Sequence, residues 1–283
     1  MRPFIRTVLF IVAFSASPGA IHPADQIPTS APVSTDSAGK AGGTAAASVV
    51  RVICFKERTG GTGFVHKSGY IITAAHVVSD CERSEIAVVG MGIGGKVKIT
   101  DIIADHVLDL AILKTEQKIT VPTTLSINPN SNLTLGAQVT TWGYPGGYGG
   151  ALPLLSVGYL AGQDTVKSAN KSVRRWVVNA AFNGGNSGGP LLRVEDGTVI
   201  GVVSSKLAPL PEHIESALEA LKNQKAGFMY TKTYADGKTE KASEGQVIHE
   251  VLQHLRQQTQ LVIGHAVLLE DLRNFLVQNN IEP

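Results

Sequence analysis

Between residues 48 and 205 the chain is a succession of short runs rich in valine and isoleucine, each stopped by glycine or a polar turn. The runs are SVVRVICF (48–55), TGFVH (62–66), YIITAA (70–75), EIAVVG (85–90), VKITDII (97–103), LAILKT (110–115), QVTTWGY (138–144), RRWVVNAAF (174–182) and TVIGVVSS (198–205). Their length and β-branched content predict a strand for each. Many short strands with turns between them point to an all-β sandwich or barrel rather than a βαβ protein. The 30 glycines suit such turns, and 283 residues suffice for one two-lobed protein or two small domains.

The pattern changes after residue 206. Ile214, Leu218 and Leu221 have helical spacing, with Pro211 near the start, and predict a helix over 211–224. MYTKTYADGKTEK (229–241) reads as a hairpin turned at Asp236-Gly237. A second helix is expected over 244–258, a strand over 261–267 and a closing helix over 268–278. At the other end, Arg2 and Arg6 precede the apolar stretch TVLFIVAF (7–14) and then small residues. This reads as an export signal over 1–20, cleaved between Ala16 and Ala24. The stretch falls well short of the ~20 residues of a membrane span, and no second long apolar run exists, so no stable membrane insertion is expected. Residues 21–47, rich in Ala, Pro, Ser, Thr and Gly, read as a flexible linker. A net charge of +2 gives no reason to expect a nucleic-acid partner. The two cysteines, Cys54 and Cys81, permit one disulfide in an exported protein or two buried thiols. Neither has the spacing of a zinc site or of a redox CxxC pair.

Three segments carry chemistry. In FNGGNSGGP (182–190) glycines flank Ser187 on both sides. They leave room for a substrate backbone and allow backbone N–H groups to converge where an oxyanion would form. In YIITAAHVVSDC (70–81) an apolar strand ends in two alanines and His76. In HVLDLAIL (106–113) Asp109 is embedded in an apolar run, where a carboxylate requires a partner such as a histidine N–H.

Taken in the order His, Asp, Ser, the strings TAAHV, DLAIL and GNSGGP resemble the chymotrypsin-like serine peptidases. Asn186 before the serine makes the chain most similar to the bacterial HtrA-type branch. The resemblance covers about 48–205 and resumes over 262–276. It implies two six-stranded antiparallel Greek-key β-barrels, about 48–125 and 126–283, with a helical and hairpin insertion over 206–260 and a C-terminal helix. It also implies a secreted or periplasmic serine endopeptidase acting on polypeptides, with His76, Asp109 and Ser187 as triad and no metal or cofactor. The N–H groups of Gly185 and Ser187 would form the oxyanion hole. Ser204 would border the substrate strand and support the aspartate; Asp105 lies outside the DLAIL match. Ala181 would floor the main pocket, and Phe182 could fill that floor. Lacking an acid there, the pocket would take small or medium apolar side chains rather than Lys or Arg.

The resemblance also places a disulfide near the histidine, which Cys54 and Cys81 could supply, and a loop near the active site, here WGYPGGYGG (142–150). With asparagine at 186 and no IVGG-like start, activation by a new N-terminus is not expected. HtrA-type chains usually continue into a PDZ module; none is expected here. The insertion is expected to cap or extend the substrate cleft. HEVLQH (249–254) sets its histidines five apart, about 140° around a helix, so it is not a zinc motif. An α/β-hydrolase esterase would need its acid and histidine after the serine, in a strand-helix setting that is missing here. The competing reading of another class is a peptidase-like fold that is latent and works as a binding or scaffold protein.

Overall fold

The computed structural model describes residues 42–283 apart from 57–58, 92, 94–96, 123, 128–132, 169–170, 207–211, 234–236 and 259–262. The expected export signal and most of the expected linker lie outside the described residues. The last part of that linker is a correction. Gly42–Ser48 is a helix, α1, in which Ala45 and Ser48 are fully buried. Its three consecutive alanines are strong helix formers, and the small Ala45 side chain fits directly against the core.

Six strands make the first sheet: β1 (Val49–Cys54), β2 (Thr59–Val65), β3 (Ile71–Thr73), β4 (Ile86–Val89), β5 (Ile99–Asp105) and β6 (Leu110–Thr115). All pair antiparallel in the order β4-β1-β2-β3-β6-β5, with β4 and β5 as edges. Arg83, just before β4, reaches across to β5, where its Nη1 donates to the Thr100 carbonyl at 2.5 Å. The second sheet is a closed barrel of β7 (Gln138–Gly143), β8 (Leu154–Ser168), β9 (Lys171–Val178), β10 (Pro190–Arg193), β11 (Val199–Lys206) and β14 (Gly264–Leu268). Its order is β10-β11-β14-β9-β8-β7.

Side chains alternate across a strand, and here both faces of each sheet are apolar. On the first sheet Val50, Val52, Val65, Ile71, Ala111 and Leu113 fill one face, and Val49, Phe64, Ile72, Leu110 and Ile112 the other. The second barrel repeats this: Val139, Leu160, Trp176, Leu191 and Ile200 point inward, while Leu192, Val199, Val202 and Val267 point out. The outward residues of both sheets join one shared layer. The closing helix α4 (Leu269–Gln278) packs on it through Leu269, Leu272, Phe275 and Leu276. Two-sided burial explains why the strands read as unbroken Val/Ile runs.

Two strands escaped the sequence reading. β8 is 15 residues long, but it is broken by Gly158 and Gly162, bulges at Leu160/Gly162, and carries mostly exposed polar residues in its second half. β10 is only four residues and follows the serine loop directly.

Between β11 and β14 stand α2 (Glu212–Asn223), the hairpin β12 (Met229–Thr233) and β13 (Thr239–Ser243), and α3 (Glu244–Gln258). Gly237, with φ +81°, takes the left-handed conformation a tight hairpin needs. α3 is tied in by its polar flank: His249 Nδ1 donates to the Leu218 carbonyl at 2.9 Å, and Glu250 pairs with Lys232. Its Ile248, Val251 and Leu252 remain exposed.

A disulfide joins Cys54, at the end of β1, to Cys81, with Cα atoms 6.1 Å apart. It closes a 27-residue separation that contains β2, β3 and His76. Replacing both cysteines by serine should lower the unfolding free energy by about 3 kcal/mol on loop-closure grounds. Urea unfolding of the oxidised protein and the double variant checks this, and coincident curves would contradict it.

Candidate functional site

His76 sits in a short 3-10 turn, 75–77, that follows β3. Ala74 and Ala75 are buried beside it, so the ring projects from a tight, apolar strand end. Its Nδ1 lies 2.9 Å and 3.0 Å from the two carboxylate oxygens of Asp109. An ionised carboxylate only accepts, so Nδ1 carries the proton and Nε2 is left as the basic nitrogen. The backbone N–H of His76 also donates to Asp109 Oδ1 at 3.1 Å, and Ser204 Oγ donates to Oδ2 at 2.5 Å. Burial alone raises the Asp109 carboxyl; the hydrogen bonds and charge of His76, then the Ser204 hydroxyl, outweigh it. The net shift is downward from the ordinary 3.8.

Asp109 itself has φ +59°, the left-handed conformation, which costs a non-glycine residue about 1 kcal/mol. The turn before it is held from both sides. Asp105 Oδ1 accepts from the N–H groups of Val107 and Leu108, each at 2.8 Å. Arg175 Nη2, from β9 of the other barrel, donates to the carbonyls of Val107 at 3.3 Å and Leu108 at 2.9 Å. Arg175 is 3% exposed. Asp105 thus builds the turn and Asp109 meets the histidine.

Ser187 lies in the loop between β9 and β10. Gly188, with φ +87°, packs so closely that a Cβ there would lie 2.1 Å from the Thr62 carbonyl oxygen and 2.2 Å from Thr73 Oγ1. Its N–H donates to Val203 at 2.7 Å. The serine is therefore held between the end of β3, which leads to His76, and Val203-Ser204. Among the described residues no hydrogen bond joins Ser187 Oγ to His76 Nε2.

The peptide groups of this loop can be followed one by one. The carbonyl of Asn183 accepts from Asn186 N at 3.0 Å, and that of Gly184 from Gly146 N at 2.5 Å. The Gly185 carbonyl accepts from Thr62 Oγ1 at 2.6 Å. The Asn186 carbonyl accepts from Gly189 N at 3.0 Å, and the Ser187 carbonyl from Thr62 N at 2.8 Å. All five are occupied, while the N–H groups of Gly185 and Ser187 donate to no described residue. In a trans peptide the N–H points opposite to its carbonyl, so anchoring the Gly184 and Asn186 carbonyls turns these two N–H groups the other way. Gly185 has φ +98°, and a Cβ would meet the Tyr144 carbonyl at 2.4 Å, so glycine is required.

The remaining candidates are placed as follows. The Ala181 carbonyl accepts from Asn186 Nδ2 at 3.0 Å and Ser156 Oγ at 3.3 Å. Phe182 is buried within the second barrel against Gly264, 1% exposed. A cleft of about 360 Å³ runs past His76, His106, Asp109, Lys167 and Ser204. A larger one of about 850 Å³ lies along Phe55, Tyr144, Gly184 and Gly185, and His254 of α3 forms part of its wall. A cavity of about 770 Å³ between Trp176 and α4 contains none of these groups. Thr62 and Arg175 were not foreseen; each is an ordinary strand residue in its own sequence context.

The family model for the trypsin-like peptidase domain matches residues 61–202, which span the histidine, aspartate and serine loops. The chain belongs to that family. Relatives of this trypsin-like domain include the "Serine protease HtrA-like" of Staphylococcus aureus, 30% identical over 58% of the chain and 22% of the relative. The "Probable periplasmic serine endoprotease DegP-like" of Halomonas elongata is 31% identical over 53% of the chain and 30% of the relative. The "Serine protease Do-like HtrA" of Lactococcus lactis is 28% identical over 65% and 47%. The chain thus spans less than half the length of these relatives. Among solved structures, the Rv3671c protease of M. tuberculosis shares the fold. Its active form has a TM-score of 0.50 at 21% identity, covering 82% of this chain and 92% of that one; its inactive form scores 0.51 at 24% identity, covering 66% and 90%.

The lowered Asp109 carboxyl gives a signed pH dependence. Its ionised form stabilises the fold fully above the ordinary carboxylate value of 3.8, and this is lost as the pH falls below that value through the lower folded one. Asp109→Asn should therefore flatten the acid side of the stability profile. Urea unfolding from pH 6 to pH 2 measures it, and parallel profiles for the two proteins would contradict the assignment.

Proposed function

We propose that the protein is an exported serine endopeptidase whose catalytic residues are His76, Asp109 and Ser187. Ser187 Oγ attacks the scissile carbonyl while His76 Nε2 takes its proton. Asp109 keeps the ring in the Nδ1–H tautomer and balances the imidazolium that forms. The oxyanion is received by the N–H groups of Gly185 and Ser187. His76 then returns the proton to the leaving amine, and water repeats the sequence on the acyl-enzyme.

The observation that carries this reading is the loop in which every carbonyl from 183 to 187 is engaged and those two N–H groups are left unused. Donors aimed in advance at a developing charge need no rearrangement during the reaction, which is where most of the rate gain arises. Export is supported by the Cys54–Cys81 bond, which persists in oxidising compartments, and by the word "periplasmic" in the name of the Halomonas relative.

A fluorophosphonate probe tests the reading. It should modify Ser187 in the wild type and nothing in Ser187→Ala, and in fractionated cells the labelled protein should be outside the cytosol. Asp109→Asn should lower kcat about ten-thousand-fold. A folded wild type that takes no label would instead make the chain a peptidase-fold binding protein.

Substrate choice is inferred from residue 181, which the family resemblance places at the floor of the main pocket, and from the larger cleft. Ala181 brings no carboxylate to the main pocket, so small or medium apolar side chains are preferred before the cut. The lobe over 207–263 extends the cleft beyond the oxyanion loop through His254. Lys206 and Gly264 are paired neighbours, so a two-residue turn can replace the lobe without opening the barrel. A peptide library cut by the full chain and by this deletion should show the same apolar preference before the bond and a flattened preference after it. Cleavage after Lys or Arg, or an unchanged profile in the deletion, would contradict the respective assignment.

A further inference from the structure

The oxyanion loop belongs to the second barrel, but the residue that fastens it belongs to the first. Thr62 lies in β2 and is fully buried. Its N–H donates to the Ser187 carbonyl at 2.8 Å, and its Oγ1 donates to the Gly185 carbonyl at 2.6 Å. The same hydroxyl oxygen accepts from the N–H of Tyr144 at 2.9 Å. Two residues further on, Gly146 N holds the Gly184 carbonyl. The Thr62 carbonyl is itself capped by Thr73 Oγ1 at 2.7 Å, three residues before His76. One side chain thus joins the first sheet, the glycine-rich loop after β7 and the peptide on the C-terminal side of Gly185.

A threonine hydroxyl has one proton to give and lone pairs to accept with, and here both roles are filled by backbone groups, the partly buried Gly185 carbonyl and the buried Tyr144 N–H. The geometry points to Thr62 as a positioning residue for the oxyanion hole. It touches neither substrate nor reacting atoms. It holds the Gly185 carbonyl outward, and it keeps the 144–146 backbone where Gly146 can do the same for the Gly184 carbonyl. Without it, the Gly185 and Tyr144 groups seek other partners, and Gly185, with no side chain, is free to rotate its N–H out of the hole. This inference rests on the proposed roles of Ser187 and of the two N–H groups.

Thr62→Val keeps the shape and removes the hydroxyl; Thr62→Ser keeps the hydroxyl. For a peptide substrate, Val should lower kcat about 30-fold with KM within twofold, a fraction of the 10²–10³ lost when an oxyanion donor is removed outright. Affinity for a peptidyl trifluoromethyl ketone, whose oxyanion occupies the hole, should fall in parallel. Affinity for the matching cleaved product should not change, and Ser should restore kcat to within about threefold. A merely structural threonine would lower thermal stability and leave the kcat/KM split and the ketone affinity alone. A folded Thr62→Val with wild-type kcat and ketone affinity overturns the role. Should Val not fold, Thr62→Ala, which also removes the hydroxyl, is read the same way, and wild-type kcat there overturns it too. Wild-type protein that is not labelled at Ser187 by the fluorophosphonate removes the catalytic reading and this role with it. Labelled wild type with an unchanged Val variant removes the role of Thr62 alone.

Discussion

Val49, Phe64, Ile72, Leu110 and Ile112 turn from the first sheet toward Leu192, Val199, Val202 and Val267 of the second barrel, and α4 presses Leu272 and Leu276 onto the same layer. Each sheet has a second apolar face of its own. The shared layer fixes how the two sheets meet, and the site lies along the edge of that meeting. His76 and Asp109 arrive from turns of the first sheet; Ser187 and Ser204 come from the second. A layer of fully buried side chains resists small shifts, because each lost contact leaves a void that neighbours fill only in part.

Dispersion and burial hold the sheets together but do not aim hydrogen-bonding groups. That work falls to polar residues that cross the seam, and they do so reciprocally. Arg175 reaches from the second barrel to hold the turn carrying Asp109. Thr62 reaches from the first to hold the loop carrying Ser187. Both are almost wholly removed from water, and both satisfy backbone carbonyls of partly buried turns. Each of the two turns is thus fastened by a residue of the opposite sheet.

Much of this was legible in the residues. Strand runs from β1 to β6 were found within a few positions because the central ones, buried on both faces, are almost continuously apolar. TAAHV, DLAIL and GNSGGP stood out because each sets one polar side chain among small or apolar neighbours. What escaped depends on partners distant in the chain. β8 is stabilised by pairing along its whole length with β9 rather than by its own composition. The helix at Gly42–Ser48 exists because Ala45 finds the shared layer. Thr62 stands in a glycine-rich stretch with no local mark of its role, since its partners are at 144, 185 and 187. Arg175 reads as a strand cation until the turn at 107–108 is folded beneath it.

The position of β14 has a consequence in time. It lies between β9 and β11, yet 57 residues separate its start from the last residue of β11, Lys206 being paired to Gly264 only once the lobe has been made. Until that strand has been made, the second barrel is an open sheet, with β9 and β11 each showing an unpaired edge. Val203, whose carbonyl and N–H anchor Gly188 and Gly189, stands on the strand left exposed. A partly made chain therefore holds its 187–189 loop against a strand whose other edge is still unpaired.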